Sequence, residues 1–139
     1  ANLLHQSRRN RGCFTIASMV EREARFPEDQ VPIASVMLKR LSIGMPLQID
    51  ATIQYALGEQ KAELTIADTR IDSPYNTYTH PGLPPGPIGS PGLPAIEAVL
   101  AAEPGDYLYY VAQADGHHVF TRSYEEHQQE TENIYGSSS

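Results

Sequence analysis

Among the residues able to do chemistry, Glu21 stands out first. It follows eight uncharged residues, Cys13 to Val20, and lies seven positions after Phe14 and four after Ala17. On a helix those positions share one face, so its carboxyl group is expected to be partly desolvated. Desolvation disfavours the charged form and raises a carboxyl pKa, which keeps a proton available for general-acid catalysis near neutral pH. The same pattern fits ordinary exposed glutamates at 21 and 23, paired with Arg22 or Arg25.

A second cluster is Tyr75-Asn76-Thr77-Tyr78. Tyrosine rings pack on pyranose faces, and amide and hydroxyl groups bond to sugar hydroxyls and acetamido groups. A rigid loop whose tyrosines fill a local core would use the same residues. Gln48 and Asp50 alternate along a short extended segment, and Asp50 also suits the cap of a following helix. His117 and His118 are adjacent on an expected strand and so point to opposite faces, and no H-E-x-x-H or comparable ligand spacing occurs. No metal and no cofactor is therefore expected. Cys13 sits beside an apolar stretch with nothing visible to lower its pKa. The glycines of PGLPPGPIGSPG are not a phosphate loop, because prolines remove amide donors and no Gly-Lys-Ser/Thr follows.

The elements that must position these groups follow from periodicity. Phe14 to Arg25 reads as a helix with two turns buried nearly all round, ended by Pro27. Glu28 to Leu41 carries Ile33, Ala34, Met37, Leu38 and Leu41 at core-facing spacing and stops at Gly44. A third helix is expected over Ala51–Leu57, closed by Gly58. From Ser73 to Pro94 the chain holds seven prolines and four glycines, too many for a helix or central strand. With its tyrosines and leucines it reads as a long ordered loop. Pro94 opens a helix to Ala102. Tyr107–Ala112 and His117–Thr121 form a hairpin around Asp115-Gly116, and Ser123 with Glu126 gives capping-box spacing for a last helix. The fold class is α+β: helices packed with a small antiparallel hairpin, and the Pro/Gly-rich loop lining a groove that Glu21 enters. Residues 1–13 are expected as an N-terminal tail or displaced segment, 14–135 as the functional domain, and 136–139 as a flexible end.

Composition sets outer bounds. The 139 residues carry 10 Lys+Arg against 17 Asp+Glu, a formal charge of −7. That argues against a dedicated nucleic-acid binder, which needs a basic surface. One cysteine excludes a disulfide framework within the chain. No apolar run reaches ~18 residues, so no membrane span is expected.

Several blocks resemble one family in order. Ala17-Ser-Met-Val-Glu21-Arg-Glu23-Ala24 is similar to the ASIVEKEA signature of the endolytic murein transglycosylases, the YceG-like family. VPIASVMLKRLSIGMPL at 31–47 resembles the family's VASVFxNRLxIGMxL segment, and Gln48-Ile-Asp50 its Q-x-D. Ser73–Tyr78 and Gly82–Ile88 match its YNTY and GLPPGPI motifs. Tyr107–Ala112 resembles its YLYFVA strand, Gly116–Phe120 its G-G-H-x-F strand, and His127 matches a histidine in the last helix. The likeness covers roughly residues 14–128. Ser90 stands where many members have Asn, and His117 replaces the second glycine of G-G-H. The family's membrane helix and small LysM-like domain are not in this sequence.

The resemblance implies cleavage of peptidoglycan between N-acetylmuramic acid and N-acetylglucosamine without water, leaving a 1,6-anhydromuramyl end. One carboxyl group acts as acid and then base, and the resemblance puts that role on Glu21. Glu23, about 200° around the helix, is the runner-up and a supporting residue. Gln48, Asp50, Tyr75, Asn76, Tyr78 and His118 become the expected glycan contacts. The implied place is the outer face of the cytoplasmic membrane, held by a transmembrane helix of the full-length protein, with peptidoglycan strands as substrate and a peptidoglycan synthase as partner. Two alternatives remain at this point: a non-catalytic peptidoglycan-binding or scaffold fragment, and the aminodeoxychorismate lyase activity with which the family has been labelled. The latter needs pyridoxal phosphate and a Schiff-base lysine, and only Lys39 and Lys61 are present.

Overall fold

The apolar run after Gly12 forms the central helix, α1 (Arg11–Glu23), in a computed structural model that describes residues 11–59, 61 and 63–135. Ile16, Ala17, Met19 and Val20 are fully buried there. Burial of each large apolar side chain contributes roughly 1.5–3 kcal/mol, so α1 anchors the core. Among the described residues it already runs from Arg11, ahead of the expected Phe14, and Cys13 is buried in it. The rest of the expected tail, 1–10, and the expected flexible end, 136–139, lie outside the described residues. The helix ends at Glu23, two residues before the expected Arg25, and Pro27 holds Phe26 extended at φ −114°, ψ 145°.

A single 3₁₀ turn, Pro27–Asp29, leads into α2 (Gln30–Ile43), which ends in left-handed Gly44. Its Ile33, Ala34, Met37 and Leu38 pack onto α1. Leu47 and Ile49 then point inward while Gln48 and Asp50 point out, the alternation expected of an extended segment. Helix α3 (Asp50–Leu57) follows, closed by left-handed Gly58. A second 3₁₀ turn, Asp68–Arg70, precedes the proline-rich segment. Helix α4 (Leu93–Ala101) packs on α1 and α2 through Ala95 and Val99. Strands β1 (Tyr109–Ala112) and β2 (His118–Thr121) pair antiparallel, with Tyr110 opposite Phe120 and Ala112 opposite His118. Helix α5 (Tyr124–Tyr135) packs on this hairpin. The architecture is α+β, with one two-stranded sheet among the described residues.

The proline-rich segment has no regular structure but is tied down along its length. Ile88 N–H donates to Ser18 Oγ at 3.0 Å and Gly92 N–H to Glu21 Oε1 at 2.7 Å. Thr77 accepts Gln48 N–H through its carbonyl and Ile49 N–H through Oγ1. Ser18 and Glu21, one turn apart on α1, thus act as a ladder for the loop.

The hairpin turn is docked on the exit of α1. Gly116 has φ +94°, and a Cβ there would lie 2.6 Å from Arg25 Cδ and 2.9 Å from Phe26 Cε2. Only glycine fits both the conformation and the close approach. His117, just before β2, stacks on Phe26 with centroids 4.0 Å apart, and its Nδ1 lies 3.6 Å from the Asp29 carboxylate that His118 Nδ1 also approaches, at 3.3 Å, so the two histidines do not take the opposite faces expected of them.

Candidate active site

A cavity of about 420 Å³ opens between the end of α1, the Leu47–Asp50 segment, the hairpin and α5. That lies within the usual range for small-ligand sites. Its polar lining includes Glu23, Arg40, Gln48, Asp50, Tyr78 and His118. Gln48, Asp50, Tyr78 and His118, expected from the sequence as glycan contacts, are therefore brought together.

Glu21 is not part of this cavity. Its side chain is exposed, and its Oε1 is taken up by Gly92 N–H. Of the two residues on its helical face, Ala17 is fully buried but Phe14 is 50% exposed, and Glu21 lies on the solvent side of that face. Glu23 instead follows Ile16 and Met19 at helical spacing, both fully buried. Its carboxyl group enters the cavity wall and accepts the Tyr110 hydroxyl at 2.8 Å. Burial pushes its pKa from 4.5 to about 7; the Tyr110 bond and Arg22 oppose that rise, and the neighbouring Asp50 carboxylate adds to it. The desolvation expected of Glu21 thus falls on Glu23.

Asp50 does not cap α3. It is the first residue of the helix, Ile49 holds the cap position, and no side-chain cap bond forms. Its carboxylate accepts the Tyr78 hydroxyl, and burial together with this bond raises the Tyr78 pKa. Gln48 has φ +54°, an uncommon conformation for a residue with a side chain and one that recurs at functional sites.

Two expected glycan contacts lie elsewhere. Asn76 is fully buried, donates to the carbonyls of Thr69 and Ile71 and accepts Tyr78 N–H. No sugar can reach it; it shapes the turn that delivers Tyr78. Tyr75 packs against Tyr55, centroids 4.8 Å apart, outside the cavity.

Other lining residues escaped the sequence reading. Arg40 is buried, and its guanidinium donates to the carbonyls of Leu108 (2.8 Å), Leu47 (2.9 Å) and Pro46 (3.2 Å). It ties the Pro46–Leu47 segment to the hairpin and lies over the Tyr109 ring. Asp29 is buried too, and its carboxylate lies 3.3 Å from His118 Nδ1. Tyr110 meets His118 edge-on at 5.3 Å. The aromatic run around Tyr110 signalled a strand, but nothing local says which helix it faces.

Neither lysine lines the cavity, and Lys61 is paired with Asp68 at 2.7 Å. The residues do not fit a Schiff-base pyridoxal site. Among the described residues no group of three or more His, Cys, Asp or Glu could hold a metal ion.

A model of the YceG-like family matches residues 4–133. The chain belongs to the YceG-like family. It is 44% identical over 124 residues to a Bacillus subtilis protein named endolytic murein transglycosylase, covering 89% of this chain and 34% of that one. A Streptococcus pneumoniae protein of the same name is 42% identical over 120 residues, 82% of this chain and 22% of its own. A crystal structure of a YceG-like protein from Listeria monocytogenes superposes with a TM-score of 0.82 at 45% identity, over 86% of this chain and 39% of that one. This YceG-like chain therefore spans about a third or less of the curated relatives it matches.

Proposed function

We propose that this chain carries the catalytic centre of an endolytic murein transglycosylase and that Glu23, not Glu21, is its single acid and base. The observation that carries the proposal is the Glu23 carboxyl group in the cavity wall, beside Asp50 and under the Tyr110 hydroxyl, with its pKa raised to about 7. The names of the relatives supply the substrate class, the peptidoglycan glycan strand.

A group titrating near 7 is half protonated at neutral pH and can serve in both directions. Protonated Glu23 donates to the glycosidic oxygen as the bond from the muramyl C1 breaks. The resulting carboxylate is held by the Tyr110 hydroxyl, a bond that strengthens as charge develops. Glu23 then takes the proton of the muramyl C6 hydroxyl as that oxygen closes on C1. Atoms balance without water, and the product is a 1,6-anhydromuramyl end with a free 4-hydroxyl on the departing sugar. Asp50, fixed by Tyr78, supplies negative charge to the cavity as C1 becomes cationic. Gln48 and His118 are proposed to hold the sugar substituents.

The place of action is the cell-wall side of the cytoplasmic membrane, with a transmembrane segment of the full-length protein as anchor and a peptidoglycan synthase as partner. No helix among the described residues is long and apolar enough to cross a membrane. The test is end-group mass spectrometry of purified glycan strands incubated with the chain. New anhydromuramyl ends are expected. Reducing ends would indicate hydrolysis, and strands bound but left uncut would favour a binding fragment.

A further inference from the structure

A second concavity, about 570 Å³, runs along α5 and shares Tyr124, His127 and Thr131 with the cavity that holds Glu23. The two form a continuous groove that leaves the reaction centre over α5. Its farther part adds Gln128 and Glu132. His127 sits at the junction. It stacks on Tyr109 with centroids 5.1 Å apart, while Arg40 covers the same tyrosine at 5.1 Å. Its Nδ1 is buried and has no hydrogen-bond partner among the described residues. That nitrogen faces the packed interior, so the part of the ring left for a ligand is the edge that lines the junction of the two concavities. Burial and the nearby Arg40 charge both lower the His127 pKa, so the ring offers one donor and one acceptor at neutral pH. Beside it, Tyr124 is 57% exposed and presents a ring to the groove.

We propose that α5 forms a further saccharide subsite, in which Tyr124 packs on a sugar ring of the same strand and His127 bonds to one of its hydroxyl or acetamido groups. The site takes a neutral sugar and not a stem peptide. Apart from Glu132 its lining is neutral, whereas the amino and carboxylate groups of a stem peptide would need opposite charges. The inference rests on the murein reading above and extends it from the reacting bond to the length of strand engaged.

Calorimetric titration tests it on the chain as it stands, using peptide-free murein glycan fragments from disaccharide to octasaccharide. The wild type is expected to bind the octasaccharide more tightly than the tetrasaccharide. His127→Phe keeps the stack on Tyr109 but removes the ring nitrogens, and Tyr124→Ala removes the platform. Each should cut that length advantage by roughly tenfold, the scale of one aromatic or hydrogen-bonded contact. A wild type that binds glycan without regard to length, or variants that keep the full advantage, would overturn the subsite and leave the murein reading standing. Binding that requires the stem peptide and is lost in both variants would overturn the choice of a saccharide. No glycan binding at any length by the wild type would overturn the murein reading and the subsite with it.

Discussion

Replacing Glu23 by Gln should make the protein more stable at alkaline pH while removing its chemistry. The cause is the raised pKa. In the folded chain burial lifts the Glu23 pKa to about 7 from its ordinary value of 4.5. Between those values the folded state holds a proton that the unfolded chain has released, so stability falls as pH rises through the window and the full cost is present above 7. At about 1.4 kcal/mol for each tenfold change in proton affinity, the whole displacement amounts to roughly 3 kcal/mol, of which about 2.5 kcal/mol should develop between pH 5 and pH 8. Gln keeps an oxygen for the Tyr110 hydroxyl but has nothing to ionise. Urea unfolding of both proteins across this pH range provides the assay. The two should be similar near pH 5, and the variant should be more stable by on the order of 2 kcal/mol at pH 8. Parallel stability curves for the two proteins would show that Glu23 is not held protonated by the fold, and the acid assigned to it would lose its physical basis.

Tyr110→Phe removes a bond that favours the Glu23 carboxylate, so the alkaline limb of the cleavage profile should move up by about one pH unit; a downward move would contradict the assignment. Asp50→Asn removes the neighbouring negative charge that raises Glu23, and the same limb should move down while an oxygen remains for Tyr78. Asn76→Ala should lower unfolding stability by about 2 kcal/mol, because it leaves the part-buried carbonyls of Thr69 and Ile71 and the Tyr78 amide without their partner. Calorimetry checks this, and weaker glycan binding at unchanged melting temperature would instead return Asn76 to the list of sugar contacts.

Local signals carried most of the fold. Gly44 and Gly58 end their helices in the left-handed conformation, Pro27 keeps Phe26 extended between α1 and α2, and the Asp115-Gly116 turn folds the hairpin back. The site was legible in part. Gln48, Asp50, Tyr78 and His118 do share a cavity, yet long-range contacts decided what each one does. Asp50 had a local use as a helix cap, and the Tyr78 hydroxyl from 28 residues away took its carboxylate instead. Asn76 looked like a sugar contact by type, and burial turned it into a turn former. The two glutamates of α1 were the hardest to separate. Both follow apolar residues at helical spacing, and one sequence does not reveal that Phe14 faces water while Ile16 and Met19 face the core. Tyr110, which completes the Glu23 environment, lies 87 residues away along the chain.

The most direct measurement is the rate at which anhydromuramyl ends appear, followed by mass spectrometry, for wild type, Glu21→Gln and Glu23→Gln at equal folded concentration. Loss of a general acid and base is worth on the order of 10²–10⁴-fold, so Glu23→Gln should fall at least that far. Glu21→Gln keeps an acceptor for Gly92 and should stay within a few-fold of wild type, on the order of a surface substitution. The opposite result, an active Glu23→Gln beside an inactive Glu21→Gln, would contradict the assignment of the acid to the cavity.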